Sequence, residues 1–314
     1  MRLAILDDYQ DAGLGMADWG AVPGLEVVSF TDHVADEARL ARRLAGFDAV
    51  MRIRERTPFP RSLLERLPDL RLLLATGMRN ADSIDLAAAR ERGVTVCGTE
   101  VHGLVTVELV WAMILNLLRR VPQEAASLRA GGWQVGLGQG LEGKVLGIAG
   151  LGRMGVPVAR VGRAFGMTVR AWSPHLTAER CAPHGVELAT KAGLFAESDV
   201  VTLHMPDSDA TAGLIGAAEF AAMKRGAIFV NTSRPRLVDQ AALLDALTSG
   251  QIRAGIDVYP QEPLAADDPF RSLPNVLATP HIGFVTEENY RLFFTQSCEN
   301  IAAFAAGQPI RVIS

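Results

Sequence analysis

Residues 144–173 read KVLGIAGLGRMGVPVARVGRAFGMTVRAWS, and no other stretch narrows the possible folds as far. Residues 145–149 form a short apolar run of the length of a buried strand. Gly150-Leu151-Gly152-Arg153-Met154-Gly155 follows at once and fits G-x-G-x-x-G. Val158, Val161 and Phe165 then share one face of a helix, and residues 167–172 read as a second strand. In this context each glycine has a physical use. The first allows a tight turn, the second lets backbone approach a pyrophosphate, and the third lets helix pack on strand. The helix N-terminus adds free N–H groups and a partial positive charge. The bland alternative is a structural glycine turn, since the chain holds 30 glycines. The strand and helix flanking the motif favour dinucleotide binding, with Gly150, Gly152, Arg153, Met154 and Gly155 as cofactor contacts.

The first hundred residues alternate short apolar runs with amphipathic ones. Residues 3–6, 25–30, 49–53, 72–75 and 94–97 read as strands, and 36–44, 61–67 and 84–92 as helices. Residues 10–22 are glycine-interrupted and read as a short helix at most. Such alternation implies an open parallel sheet with helices on both faces. A polar stretch at 99–103 precedes a long helix and marks a domain crossing. A second helix covers 124–130, and the glycine-rich loop 136–143 leads into the dinucleotide motif. Beyond Ser173, residues 199–204, 227–231, 253–258 and 275–278 read as strands, 238–249 as a helix, 287–306 as a last helix and 307–314 as a tail. Each of these four strands runs into polar residues, and in an open parallel sheet the ligand sits outside the carboxyl ends of the strands.

The chain has 31 basic and 35 acidic residues, a net charge of −4, and no basic block, which argues against nucleic acid or an anionic membrane as partner. Cys97, Cys181 and Cys298 are widely spaced, with no C-x-x-C, so neither a disulfide framework nor a zinc site is expected, and no metal. The opening MRLAILDD lacks the shape of a signal peptide, and the apolar helix near 105–118 is too short to span a bilayer. The expected location is the cytoplasm.

Three polar residues at strand ends carry chemistry: Arg234 in VNTSRPRLVD, Glu262 in DVYPQEPL and His281 in ATPHIGF. An imidazole exchanges protons near neutral pH, a carboxylate beside it fixes its orientation and favours its charged form, and a guanidinium holds a substrate carboxylate by paired hydrogen bonds. With a nicotinamide ring, these suffice to reduce a 2-oxo acid. The bland readings are a surface glutamate, a structural arginine and a histidine capping a strand. The charge run Arg52-Ile53-Arg54-Glu55-Arg56 follows a strand and offers Arg54 as an anion contact, or simply a solvated face.

GLGRMG, VNTSRPRLVD, AGIDVYPQEPL and ATPHIG stand in the order and spacing of the D-isomer-specific 2-hydroxyacid dehydrogenase family, which the chain resembles over nearly its whole length. LLLATGMRNADSIDLAAARERGVTV and VTVELVWAMILNLLRR extend the resemblance to the first half. The resemblance implies that Arg234, Glu262 and His281 are the catalytic residues. It places Asp257 near the nicotinamide carboxamide, Pro206, Thr232 and Gly283 along the cofactor, and Gly77, Met78 and Arg79 on the substrate loop. The expected fold is α/β with two doubly wound parallel-sheet domains and a cleft between them. A Rossmann cofactor domain covers 101–286, and a flavodoxin-like substrate domain covers 1–100 plus 287–314. Hinge closure of the two over the substrate and a homodimer built on the helices after Thr106 are expected too. Pro235 replaces the family's usual glycine, and Arg79 stands where a second glycine is frequent.

The implied reaction is hydride transfer between a nicotinamide and a small 2-oxo or D-2-hydroxy acid of the glyoxylate, hydroxypyruvate or phosphoglycerate type. Two alternatives stand beside it: a non-catalytic NAD(H)-sensing protein of the corepressor kind, and an enzyme like formate dehydrogenase, against which Glu262 argues, since that enzyme pairs its histidine with glutamine. About 20 residues past the glycines, NAD sites usually carry a carboxylate for the ribose diol. Here Ser173 stands there, followed by Pro174 and His175, which leans the cofactor toward NADPH. Arg153 and Arg170 are the nearest arginines by sequence.

Overall fold

A computed structural model describes residues 1–78 and 83–313. The chain divides into two compact units, Met1–Gly103 with Val285–Ser314, and Leu104–Phe284. Unit 1 opens with strands β1 (Arg2–Leu6), β2 (Glu26–Ser29), β3 (Ala49–Arg52), β4 (Leu72–Ala75) and β5 (Thr95–Gly98), and with helices α1 (Glu37–Arg43), α2 (Arg61–Leu64) and α3 (Leu86–Glu91). Its sheet is parallel throughout, in the order β2-β1-β3-β4-β5. The strands are almost continuously apolar because both faces are covered: Ala4, Leu6, Val50, Leu73 and Val96 pack on one side with Leu40, Leu63 and Ala88. Helix starts follow from their caps, since the Asp36 and Asp85 carboxylates accept from the N–H groups of Arg39 and Ala88. Residues 10–22 form two 3-10 turns, Gly13–Gly15 and Trp19–Ala21, where a single short helix is expected from the sequence. The Asp8 carboxylate organises the first turn by accepting from the N–H groups of Ala12 and Gly13.

Unit 2 begins with α4 (Val105–Arg119) and α5 (Val121–Arg129). It continues through β6 (Val145–Ala149), α6 (Gly155–Ala164), β7 (Thr168–Trp172), α7 (Ala178–Cys181), β8 (Glu187–Leu188), α8 (Lys191–Glu197), β9 (Val200–Leu203), α9 (Ala217–Ala222), β10 (Ala227–Asn231), α10 (Gln240–Thr248), β11 (Ile252–Ile256) and β12 (Val276–Ala278). The seven strands are parallel, in the order β12-β11-β10-β9-β6-β7-β8. Two apolar layers flank them. One gathers Phe195, Phe220, Phe229 and Leu243, and the other Trp111, Ile114, Val158 and Ile228. Short elements such as β8 and α9 escape a reading by periodicity because they offer too few residues to show a period. The chain direction along the sheet reverses between β6 and β9, and this switch point is where an open sheet leaves a crevice for a ligand.

The chain returns to unit 1 with α11 (Glu287–Ala305), started by the Thr286 side chain, which accepts from the N–H of Asn289. Its apolar side buries Tyr290, Phe293, Phe294 and Ile301. Its buried polar side serves the segment that leaves β5. The Gln296 and Asn289 side chains accept from the N–H groups of Glu100 and His102, and Asn300 donates to the Gly98 carbonyl. The residues after it pair with β5: Val312 bridges Cys97, and Gly98 and Ile313 exchange backbone hydrogen bonds with Arg311 and Val96. The sequence reads these residues as a plain tail.

Candidate active site

The switch point of unit 2 is shaped by the three glycines. Gly150 follows β6 with φ 106°, a conformation that excludes ordinary side chains, and a Cβ on it would sit 2.6 Å from the His204 carbonyl oxygen at the end of β9. A Cβ on Gly155 would meet the Gly150 carbonyl oxygen at 2.2 Å, so only glycine lets α6 start so close to the turn. Gly152 differs, because a Cβ there would meet nothing within 4 Å. Its glycine therefore keeps space open beside the start of α6. No side chain caps that helix, and its first turn holds no acidic residue. An open space beside uncapped, positively polarised N–H groups is the shape a pyrophosphate requires.

The neighbouring strand ends complete this face. After β9, the Met205 carbonyl accepts from Ser233 Oγ at 2.9 Å and the Pro206 carbonyl from Thr211 Oγ1 at 2.8 Å, which ties residues 205–211 to the loop after β10. The His204 imidazole lies 3.0 Å from Thr202 Oγ1, and burial pushes its pKa down to about 4, so it stays neutral. Thr232 Oγ1 is buried with no hydrogen-bond partner among the described residues. Leaving a buried hydroxyl unsatisfied costs about 1–3 kcal/mol, which a bound polar ligand relieves. The open Gly152 space, the uncapped α6 and the orphaned Thr232 hydroxyl thus fit a dinucleotide. Ser173 directly follows β7, with no carboxylate at residues 173–176. Arg170 is held by Glu187 and Glu197, whereas exposed Arg153 in the glycine loop forms no ion pair among the described residues.

Arg234, Glu262 and His281 all belong to unit 2. Arg234 is extended (φ −142°, ψ 141°), as a residue before proline must be, and Nη1 donates to the Ser233 carbonyl at 2.8 Å. Glu262 and His281 are in direct contact, with Glu262 Oε2 2.7 Å from His281 Nδ1. The other oxygen, Oε1, accepts from the Tyr259 N–H at 2.9 Å, so the carboxylate is anchored to the segment after β11. With Nδ1 donating to a carboxylate, the tautomer is set and Nε2 is the free nitrogen. The Phe284 ring packs edge-on against the imidazole at 5.5 Å between centroids.

His281 itself takes a left-handed backbone, φ 51°. Asp257 holds the turn that imposes it. It is fully buried, Oδ1 accepts from Thr279 Oγ1 at 2.6 Å and from the Ile282 N–H at 2.8 Å, and Oδ2 accepts from the Gly283 N–H at 2.9 Å. Burial raises the Asp257 pKa against the pull of these donors. A Cβ on Gly283 would lie 3.0 Å from Asp257 Oδ2, so a larger residue would crowd the carboxylate. Tyr259, Thr279 and Phe284 act at this site through packing and backbone bonds, which no spacing in the sequence announces.

The remaining candidates are in unit 1. Arg54 follows β3 with φ 56°, its N–H donates to Thr76 Oγ1 at 2.7 Å, and its Nε lies 3.5 Å from Glu55. Gly77 follows β4 with φ 91°, and its N–H donates to Thr99 Oγ1 at 2.9 Å; Met78 beside it is exposed. Arg79 lies outside the described residues.

Residues 111–283 match the model of the D-isomer specific 2-hydroxyacid dehydrogenase, NAD binding domain. The chain is 36% identical over 292 residues to a D-3-phosphoglycerate dehydrogenase of Archaeoglobus fulgidus, covering 92% of this chain and 55% of the relative. It thus spans about half the length of that relative. A glyoxylate reductase of Aeropyrum pernix is 38% identical over 259 residues, 78% of this chain and 76% of the reductase. Among solved structures, a phosphoglycerate oxidoreductase from Vibrio cholerae superposes with a TM-score of 0.93 at 39% identity, covering 98% of this chain and 99% of the other. The apo-structure of D-lactate dehydrogenase from Escherichia coli gives 0.83 at 30% identity, covering all of both chains.

Proposed function

The chain belongs to the D-isomer-specific 2-hydroxyacid dehydrogenase family, and from that premise we propose that it catalyses reversible reduction of a small 2-oxo acid to the D-2-hydroxy acid with a nicotinamide cofactor. The observation that carries the proposal is the Glu262–His281 pair, a fixed imidazole with Nε2 free, in the same unit as the glycine cradle. When bound, the nicotinamide supplies the hydride to C2. Gly150, Gly152 and Gly155, with the N-terminus of α6, hold the pyrophosphate, and Thr232 and the Pro206 loop line the rest. His281 Nε2 delivers a proton to the C2 oxygen as charge builds on it. Glu262 keeps the ring oriented and balances its charge before the transfer. Arg234 binds the substrate carboxylate through its guanidinium and polarises the neighbouring carbonyl. Arg54, Gly77 and Met78 are the substrate-contact candidates that unit 1 carries, after β3 and β4. A panel of 2-oxo acids, glyoxylate, hydroxypyruvate, pyruvate and 3-phosphohydroxypyruvate among them, tested with NADH and NADPH, checks this by loss of reduced-cofactor absorbance. Absence of turnover across the panel counts against it.

NADPH is the favoured cofactor. Ser173 offers a hydroxyl where a carboxylate would repel a 2′-phosphate, and Arg153, which forms no ion pair among the described residues, is available to meet one. Catalytic efficiency at least tenfold higher with NADH on the same acid would reverse the assignment, and Ser173→Asp should move preference toward NADH in either case. We infer further that the protein is a homodimer. The apolar side of α4 is spent on its own sheet, with Val110, Trp111 and Ile114 buried. By contrast α5 buries no residue, and Leu128, Trp133 and Leu137 on and after it are 60%, 74% and 95% exposed. A second copy covering this run removes apolar surface that water would otherwise meet.

A further inference from the structure

Arg234 stands between β10 and α10, and the last residue of β10 reaches forward to hold it. Asn231 is 2% exposed, and its amide is spent on the backbone of the residues that follow. Oδ1 accepts from the Ser233 N–H at 2.9 Å, and Nδ2 donates to the Arg234 carbonyl at 3.2 Å. One partner is a donor and the other an acceptor, so a single orientation of the amide serves both. The side chain thus brackets the peptide that joins Ser233 to Arg234. Ser233 is fixed at two further atoms. Its Oγ donates to the Met205 carbonyl at 2.9 Å, and its own carbonyl accepts from Arg234 Nη1 at 2.8 Å. The guanidinium is therefore aligned on a peptide that Asn231 holds in place. Pro235 limits the chain further. It keeps Arg234 extended and has no N–H, so the Arg234 carbonyl is the one hydrogen-bonding group of the peptide between them. The Pro235 carbonyl in turn accepts from Gln240 Nε2 at 2.8 Å and from the Val238 N–H at 3.1 Å. At its other side Asn231 is joined to the residue that holds the His281 turn, since the Asp257 N–H donates to the Asn231 carbonyl at 3.0 Å.

We propose that Asn231 is a positioning residue whose amide presets Arg234 for the substrate carboxylate. The physics is that of preorganisation. A guanidinium binds a carboxylate through a planar fork that must meet both oxygens at once, so its direction matters as well as its charge. Each freedom left in the backbone beneath a long side chain must be frozen when the ligand arrives, and that loss is subtracted from affinity. Asn231 removes this freedom before binding, because it ties down the residue on which the guanidinium rests. An apolar residue in its place would leave the Ser233 N–H and the Arg234 carbonyl without their partner. The proposal rests on the role of Arg234 in the 2-oxo acid reaction above and adds to it a residue that acts through Arg234 alone.

The test uses oxalate, which presents a carboxylate and is not itself a 2-oxo acid. Its Kd is measured by calorimetry on the full-length chain loaded with reduced cofactor. Asn231→Asp keeps the volume and the acceptor for the Ser233 N–H but loses the donor to the Arg234 carbonyl. Asn231→Ala loses both bonds and adds no charge. In each, oxalate binding weakens about tenfold, the size of one lost hydrogen bond, while cofactor affinity stays within about threefold of wild type. Unchanged cofactor affinity also reports that unit 2 is folded; if Asn231→Ala fails that check, Asn231→Asp decides. The same changes are then made beside Arg234→Lys. A flexible ammonium needs no aligned fork, so there they cost less than about threefold, a difference that general damage to the fold would not produce. Oxalate bound by Asn231→Asp as tightly as by wild type, an equal loss beside arginine and lysine, or cofactor affinity falling in step with oxalate affinity would overturn the proposal. So would a wild-type protein that binds no oxalate. Absence of 2-oxo acid turnover counts against the reaction instead, and the binding measurements read Asn231 without it.

Discussion

His281 sits at φ 51°, and that backbone decides which substitutions test it. Asparagine adopts the left-handed region readily, whereas a β-branched residue is strained there, so His281→Val would confuse lost chemistry with lost fold. His281→Asn is expected to lower kcat by about 10² to 10⁴, the usual contribution of a positioned proton donor, with the melting temperature within a few degrees of wild type. Steady-state kinetics with calorimetry checks both halves, and near wild-type turnover removes His281 from the mechanism. His204 gives a stability prediction of definite sign. Its folded pKa, about 4, lies below the ordinary 6.5, so between these values the unfolded chain binds more protons than the folded one. Stability is then present in full above pH 6.5 and is lost as pH falls toward 4. One unit is worth about 1.4 kcal/mol; because the residue keeps some surface exposure, the loss is put at roughly 1–2 kcal/mol, below the full conversion. Denaturation midpoints from pH 4 to 7 should show this slope in wild type and a flatter one in His204→Gln. Arg234, Glu262 and His281 stand out in the sequence as polar residues after apolar runs, and it is the resemblance to the family that singles them out. The sequence does not display Asp257 as the clasp of residues 279–283, since that role depends on backbone N–H directions fixed only in the fold.

At the scale of elements, the β6–turn–α6 unit separates two reasons for glycine. Gly155→Ala places a methyl 2.2 Å from the Gly150 carbonyl oxygen, which α6 cannot avoid without moving. A loss of about 2 kcal/mol or more is expected, with cofactor binding weakened as a consequence. Gly152→Ala meets nothing within 4 Å, so the free protein should keep its stability to within about 0.5 kcal/mol while cofactor affinity falls at least tenfold. Thermal melts with and without cofactor distinguish the two, and equal behaviour of both variants would contradict the packing described. The motif was legible because a continuous apolar run, three spaced glycines and a period-3.6 run agree over thirty residues. Elements of two to six residues, such as β8 and α9, show no period, and their existence is decided by neighbours: Phe220 of α9 is buried edge-on against Phe229 of β10.

For the whole molecule, the exposed run on and after α5 makes the oligomeric prediction specific. Leu137→Asp together with Trp133→Ala should convert a dimer to monomer in light scattering, with unit 2 still folded because neither residue is buried in its own chain. A wild-type monomer at micromolar concentration, or a double variant that stays dimeric, speaks against this surface.

Unit 1 is written in two pieces of chain, and the second is indispensable: α11 brings Phe293, Phe294 and Ile301 into its interior, and residues 311–313 pair with β5. Unit 2 is one uninterrupted segment between them. A ribosome making this protein therefore completes the later-starting unit first. Domains ordinarily fold in the order they emerge, N-terminal first. Here Leu104–Phe284 can close its core while residues 1–103 wait, partly formed, for α11 to clear the exit tunnel. During that interval the apolar strands of unit 1 lack the helix that covers Trp19 and its surroundings. Chains truncated after Phe284 and released should show protease protection confined to 104–284, and protection of the first hundred residues should appear only in chains that also carry residues 285–314.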